Sequence, residues 1–323
     1  MTDTDLYALY ALDGSGKGER LQPAENGASR PGTSALWCKL NREYQGLADS
    51  LSKITDSDEV MVEALTAEDP RPRCVAHGGG ALVILRGINL NPGSDPEDMV
   101  SVRIWVDAGR VFTVQGRKLV AIDDLIHMLD QGTGPKTPGD FIVMLADGLT
   151  DYMQTTIEEI DEALDTLEDE QDGGEIATLR SRIAQLHRRV VTLRRFIAPQ
   201  RDALGTLIRE PFAWKSKAHE RRLKEIVDRV MRLVEQLDEI HARAVIARES
   251  LAGFIAERLN RTMALLSIVA SVFLPLTFIT GLLGINVSGI PFADSDWAFA
   301  IVVGGLVVVG VFEVLLFRRF RLL

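Results

Sequence analysis

Apolar positions change their rhythm twice along this chain. Up to about residue 148 they come in short runs, at 35–40, 81–88, 99–106 and 111–114, rich in β-branched residues and separated by turn signals such as Asn91-Pro92-Gly93. That pattern predicts strands. A helix around 123–129 begins with the acids Asp123 and Asp124, which suit a helix N-terminus. From Leu149 onward the period is helical. An earlier helix near 150–170 ends at Gly173-Gly174, and Ile176, Leu179, Ile183, Leu186, Val190, Leu193 and Ile197 then recur at alternating spacings of three and four. After Pro199 and Pro211 a second stripe follows the same spacing, from Leu223, Ile226 and Val230 through Leu237, Ile240 and Ala244 to Leu251 and Phe254. This is a coiled-coil-like seam. No proline occurs between Pro211 and Pro275, so one continuous helix is expected from about Lys217 to about Gly284. At 1.5 Å per residue it would be roughly 100 Å long.

The second change is the loss of charge. From 262 to 293 there are 32 consecutive residues without Asp, Glu, Lys or Arg, and the apolar run 297–317 holds one charge, Glu313. About 20 residues of helix cross the hydrocarbon layer, so two transmembrane helices are expected. Arg258 and Arg261 precede the first run, Arg318, Arg319 and Arg321 follow the second, and the loop between them carries Asp294 and Asp296 without a base. Basic flanks stay on the cytoplasmic side. Both termini are therefore expected in the cytoplasm, with the short acidic loop outside. The predicted organisation is a cytoplasmic α/β domain (1–148), a helical hairpin and stalk (149–262), a first span (263–286), an outer loop (287–296), a second span (297–317) and a cytoplasmic tail (318–323). The fold class is α+β, with a long helix and two C-terminal transmembrane helices.

Charge and cysteine content narrow the partners. A net charge of −10 argues against nucleic acid and suits cations. The start, MTDTDLYALY, has no basic region followed by an apolar one, so no cleaved signal peptide is expected. Cys38 and Cys74 are the only cysteines and read as structural thiols in a reducing compartment.

Charge is also segregated along the helices. Between Asp147 and Leu179 there are 12 acids and no Lys or Arg, and between Arg180 and Arg232 there are 15 bases against 5 acids. The two segments are expected to pair and offset each other, and the acidic one can also concentrate divalent cations. Within the first apolar run, Asn260, Met263, Ser267, Ala270, Leu274, Thr277, Gly281 and Gly284 fall at three- and four-residue spacing and share a helix face. Such a face serves either close helix packing or the lining of a pore. Glu313, an acid inside a span, reads either as a structural residue near the cytoplasmic end or as a proton-coupling group. The five histidines show no ligand spacing on one helix face; His77, His187 and His219 are candidates for a cytoplasmic metal-sensing role.

Pro275-Leu276-Thr277-Phe278-Ile279-Thr280-Gly281, followed by Gly284-Ile285-Asn286 at the end of the first of two C-terminal spans, resembles the CorA-type divalent-cation transporter family, whose usual signature there is Gly-Met-Asn. Upstream, Arg71-Pro72-Arg73, Leu85-Arg86-Gly87-Ile88-Asn89, Arg117-Lys118, Gly132-Thr133-Gly134-Pro135, Leu149-Thr150-Asp151 and Ala198-Pro199-Gln200-Arg201-Asp202 are similar to the ZntB zinc-transporting branch of bacterial inner membranes. Together these cover nearly the whole chain. Ile285 replaces the family's Met, and Ala264 stands where many magnesium-transporting members have Lys; both departures favour the zinc branch. The resemblance implies a funnel-shaped homopentamer with five copies of the long helix around one pore. Gly284, Ile285 and Asn286 would form the entry and selectivity site, Asp294 and Asp296 an outer acidic ring, and Asn260, Met263, Ser267, Ala270, Leu274, Thr277 and Gly281 the pore lining. It further implies divalent-cation transport, with Zn2+ uptake as the first reading and Zn2+ efflux or a Mg2+/Co2+ channel as the alternatives; Co2+, Ni2+, Cd2+ and Mg2+ are other cargoes, and the transport is either passive or coupled to protons. No resident cofactor is expected, since zinc is cargo. Neutral oxygen dipoles suit this task, because fixed carboxylates would trap a strongly hydrated dication.

Two other classes compete: a membrane-anchored enzyme and a structural scaffold. His77-Gly78-Gly79-Gly80 resembles an oxyanion strip, yet the chain has no Gly-x-Ser-x-Gly elbow. Asp13-Gly14-Ser15-Gly16-Lys17-Gly18 lacks the Ser or Thr that follows Lys in a phosphate-binding loop. Both read as turns, and the polar stripe of the first span disfavours a scaffold.

Overall fold

The computed structural model describes residues 7–21, 33–43, 47–48, 51, 59–68, 70–170, 176–285 and 296–319. The chain forms two compact units, Met1–Arg248 and Glu249–Leu323.

The first unit is built on a mixed seven-stranded sheet. Its strands are β1 (Tyr7–Leu12), β2 (Gly18–Leu21), β3 (Ala35–Asn41), β4 (Arg73–His77), β5 (Gly80–Gly87), β6 (Val100–Val106) and β7 (Arg110–Gln115), in the spatial order β2-β1-β3-β7-β6-β5-β4. Every neighbouring pair is antiparallel except β3 and β7. The parallel pair exists because the chain leaves β3, builds the β4–β6 meander and returns to lay β7 beside β3. The strand positions expected at 35–40, 81–88, 99–106 and 111–114 are borne out as β3, β5, β6 and β7 to within a residue or two. β5 and β6 are buried along their whole length, which explains why both of their faces are mostly apolar; the polar exceptions Arg86, Ser101 and Arg103 are buried too.

Helices cover both faces of this sheet. On one side α1 (Glu59–Thr66) contributes Ala64 and Leu65 to a cluster with Leu47, Leu51, Leu82, Ile84, Trp105, Phe112 and Val114. On the other side lie α2 (Val120–Gln131), α3 (Pro138–Asp169) and α4 (Ile176–Arg209). Trp37 of β3 meets Phe141 of α3 with ring centroids 4.8 Å apart, and its Nε1 donates to Thr113 Oγ1 at 3.0 Å. This fully buried tryptophan ties α3 to the sheet on that face.

The helix that the periodicity places near 150–170 begins earlier, at Pro138. Thr137 caps it by accepting from the Asp140 N–H at 3.1 Å, with Pro138 in the first turn, where its missing donor costs nothing. α4 likewise continues through Pro199 to Arg209. An internal proline costs about 3 kcal/mol. The turns beyond it bury Gln200, Ala203, Leu204 and Leu207, which offsets that penalty. Lys215 then closes the helix end, its ammonium donating to the carbonyls of Leu207, Ile208 and Glu210 at 2.8, 2.6 and 2.6 Å.

The last two helices are α5 (Lys217–Leu283), 67 residues without interruption, and α6 (Ala298–Arg319). In the first unit α5 buries Leu223, Ile226, Val230, Leu233, Leu237, Ile240, Ala244 and Ala247, the seam set by its periodicity. The second unit holds the remainder of α5 together with α6, and both contain stretches long and apolar enough to cross a membrane.

Candidate functional site

Within the second unit a single copy buries almost nothing. Leu266, Leu274, Trp297 and Phe299 are each at least 70% exposed. Water does not tolerate so much uncovered apolar surface, so this unit requires lipid or other protein around it. Two of its threonine hydroxyls fold back onto the helix backbone. Thr262 Oγ1 donates to the Arg258 carbonyl at 3.0 Å, and Thr280 Oγ1 to those of Leu276 and Thr277 at 3.0 Å each. That internal satisfaction is what an apolar surrounding demands.

The stripe Asn260, Met263, Ser267, Ala270, Leu274, Thr277 and Gly281 lies on α5, where helical geometry puts it on one face. All seven residues are exposed in the single copy. A side chain added at Gly281 would meet nothing within 4 Å, so the face is open to whatever packs or flows against it. At its end Gly284 donates its N–H to the carbonyls of Thr280 and Gly281 at 3.0 and 3.2 Å, closing the helix, and exposed Ile285 follows. Asn286 and Asp294 lie outside the described residues, whereas Asp296 stands exposed just before α6. Glu313 of α6 is half-buried, and its Oε2 is enclosed without a hydrogen-bond partner among the described residues.

The charge segregation resolves into specific pairs in the first unit. Arg229 of α5 reaches Asp147 at 2.7 Å and also Asp151. About four helix turns further come Arg243 and its three partners: Asp161 at 2.9 Å, Glu168 at 2.5 Å, and Asp165. Arg182 of α4 meets Glu170 at 2.5 Å. The acidic helix α3 is therefore neutralised by both α4 and α5, and one neutralising group, Arg243, lies beyond the basic stretch that the charge pattern marks. Hydrogen bonds to these carboxylates hold both the Arg229 and Arg243 guanidiniums above their ordinary values. Glu158, Glu159, Glu162 and Asp169 remain exposed on the same helix and leave its outer face negative.

The three candidate metal histidines are engaged separately. His77, on β4, lies edge-on to Trp105, and His219 Nε2 pairs with Asp140 Oδ1 at 3.1 Å beside the cap of α3. His187 of α4 instead faces His241 of α5, with ring centroids 4.7 Å apart. Burial, with His241 and Arg248 nearby, holds the His187 imidazole below its ordinary value. Helix-face spacing misses His241 because the partners are on different helices. A signal was nonetheless present: His187 follows Leu186 and His241 follows Ile240, so each borders a buried seam position. Among the described residues no group of three or more His, Cys, Asp or Glu is poised to hold a metal.

The enzyme-like motifs are turns. Gly78 and Gly79, at φ 52° and 81°, form the tight connection between β4 and β5 that only glycine makes without strain. Asp13 accepts from the Ser15 N–H at 2.8 Å and the Lys17 N–H at 3.1 Å between β1 and β2, with no helix following to bind phosphate.

Residues 32–319 match the family described as CorA-like Mg2+ transporter protein. The chain belongs to that family. It is a family of divalent-cation transporters and not of enzymes. The chain is 38% identical over 330 residues to "Divalent cation transporter CmaX" of Pseudomonas aeruginosa, covering 97% of this chain and 95% of that protein. It is 34% identical over 298 residues to "Zinc transport protein ZntB" of Yersinia enterocolitica, covering 92% and 90%. Full-length CmaX superposes with a TM-score of 0.84 at 37% identity, covering 98% of each chain. The CorA magnesium transporter of Methanocaldococcus jannaschii superposes at 0.83 with 18% identity, covering 97% of this chain and 98% of that one, a likeness of fold. The CorA arrangement of an α+β domain, a long helix and two C-terminal apolar helices is therefore the architecture of this chain.

Proposed function

We propose that this protein is a subunit of a transporter that carries divalent metal cations across the bacterial inner membrane, with Zn2+ as the main cargo and uptake as the direction. The observation that carries this reading is the unbroken course of α5 from Lys217 to Leu283, with one small and polar face running through an uncharged stretch to Gly284-Ile285-Asn286. Five copies of that face would enclose an aqueous path, with α6 outside them and both termini in the cytoplasm. At the outer mouth, backbone carbonyls and the Asn286 amide would meet a cation that keeps most of its water, because neutral dipoles bind a dication without trapping it. Asp294 and Asp296 would raise the local cation concentration there. Met263, Leu274 and Thr277 would narrow the path further in, and Asn260 would form a polar ring at its cytoplasmic end.

Zinc is favoured over magnesium by the zinc-transport role of the ZntB relatives, by Ile285 in place of Met and by Ala264 in place of Lys. Proton coupling through Glu313 is supported by its enclosed, unpartnered oxygen within an apolar helix. The test is flux into liposomes holding the purified full chain. Zn2+ entry that is accelerated by an imposed pH gradient, and reduced at least tenfold in Asn286→Ala, is the expected result. Glu313→Gln should abolish the acceleration and leave passive entry. Cation entry equal to that of empty liposomes overturns the reading, and Mg2+ entry without Zn2+ entry moves the cargo to the magnesium branch.

A further inference from the structure

His187 and His241 come from two helices, 54 positions apart in the chain, and stand with ring centroids 4.7 Å apart and planes inclined by 31°. Two imidazoles that share one Zn2+, each nitrogen about 2.0–2.1 Å from a near-tetrahedral ion, have ring centres roughly 5 Å apart. The pair therefore already stands at the separation that a shared metal imposes. The surrounding seam keeps it there: Leu186, Val190, Leu237 and Ile240 are buried beside it, and Arg194 of α4 pairs with Asp238 of α5 near the same crossing. Neither ring is sealed off, since both residues are half-buried and solvent reaches them.

We propose that His187 and His241 form a two-imidazole site for a transition-metal dication, clipping α4 to α5. No third His, Cys, Asp or Glu completes the set among the described residues, so water fills the remaining positions and the ion exchanges readily. That separates the site from a closed structural zinc centre, which uses four protein ligands. Imidazole selects Cu2+, Ni2+, Zn2+ and Co2+ and leaves Mg2+, a hard cation that prefers oxygen, in solution. Arg248 acts on His187 with a like charge and so holds the affinity down. Such a site fills when free zinc or nickel rises and empties when it falls, which is the behaviour of a sensor. The inference rests on imidazole geometry and not on the transport reading.

The experiment is calorimetric titration of the full chain in detergent with Ni2+, Zn2+ and Mg2+, paired with thermal unfolding. Wild-type protein should show a Ni2+ and Zn2+ site absent from His187→Gln and from His241→Gln, each substitution weakening it at least tenfold. Mg2+ should not compete for that site, and Arg248→Gln should tighten it severalfold. Ni2+ should raise the unfolding temperature of wild type more than that of either histidine variant. Unfolding without metal verifies that the variants fold, and Co2+ absorption in the visible range reports imidazole coordination in wild type independently of any substitution. Equal Ni2+ isotherms for wild type and both histidine variants, or Co2+ spectra identical to the aqua ion, overturn the proposal. Metal flux in liposomes is read separately, so loss of one activity does not imply loss of the other.

Discussion

Gln200 Oε1 accepts a hydrogen bond at 2.7 Å from the backbone N–H of Arg86, 114 positions away, and both groups are buried. β4 begins at Arg73, opposite Ile84, so at Arg86 the edge of β5 has run past its strand partner. A side-chain amide from α4 takes the place of the missing strand. The Arg86 guanidinium, meanwhile, donates to the carbonyls of Met99 and Pro70 at 2.8 and 3.1 Å and lies 4.3 Å from the Phe196 ring centroid. Gln200→Leu leaves a buried N–H without an acceptor and should cost about 1–3 kcal/mol in urea unfolding of the full chain. An unchanged midpoint would show that water replaces the amide there.

Arg243 is the hub of the α3–α5 contact. Removing it as Arg243→Gln leaves Asp161, Asp165 and Glu168 repelling one another across half-exposed positions. Exposed pairs are worth little singly, so the expected loss is about 1 kcal/mol at low salt, shrinking as ionic strength rises. Thermal unfolding at low and high salt checks this, and a salt-independent loss would point to packing by the arginine stem instead.

Acid should weaken the fold partly through Asp98. The hydrogen bond from Arg117 holds this carboxyl below its ordinary value. A folded pKa below the unfolded one, about 3.9, means that the unfolded chain binds the proton more tightly. The contribution is present above that unfolded value and disappears as pH falls through the folded one. Asp98→Asn should therefore be less stable than wild type at pH 7 and equal to it near the acid limit. A difference that persists unchanged into strong acid would contradict the sign.

Both cysteines should be slow to react. Burial pushes the Cys38 and Cys74 thiols up to about 12, so almost no thiolate exists at pH 8. Labelling with a thiol-specific reagent should proceed at a small fraction of the rate of free cysteine in native protein and reach two labels per chain in denaturant. Rapid native labelling at Cys74 would indicate that its end of the sheet opens.

What was legible in the pattern of residues follows from how much surface each element buries. β3, β5, β6 and β7 are central strands, and their apolar runs announce them. β2 and β4 are edges with mostly partial or full exposure, so Gly18-Glu19-Arg20-Leu21 and Arg73–His77 carry little apolar signal. β1 is apolar, five of its six residues are buried and the turn at Asp13–Gly18 follows it directly, so its strand signal was present in the sequence as well. The periodic stripe stops at Ile197, just before Pro199, whereas packing carries the helix on to Arg209. At the candidate site, the stripe from Asn260 to Gly281 could be read from spacing alone, because a helix converts spacing directly into a face.

Local composition by itself determined the long helix, the two apolar helices, their arginine flanks and the helix end at Gly284. Each depends only on residues near one another in the chain, through helical period, hydrophobicity and charge. The partnerships between distant segments were decided by the tertiary structure alone: Gln200 with Arg86, Arg243 with three carboxylates of α3, and His187 with His241. Those arise when packing of the sheet and helices brings together groups that no local pattern relates, and the energy that holds them is spread over the whole core.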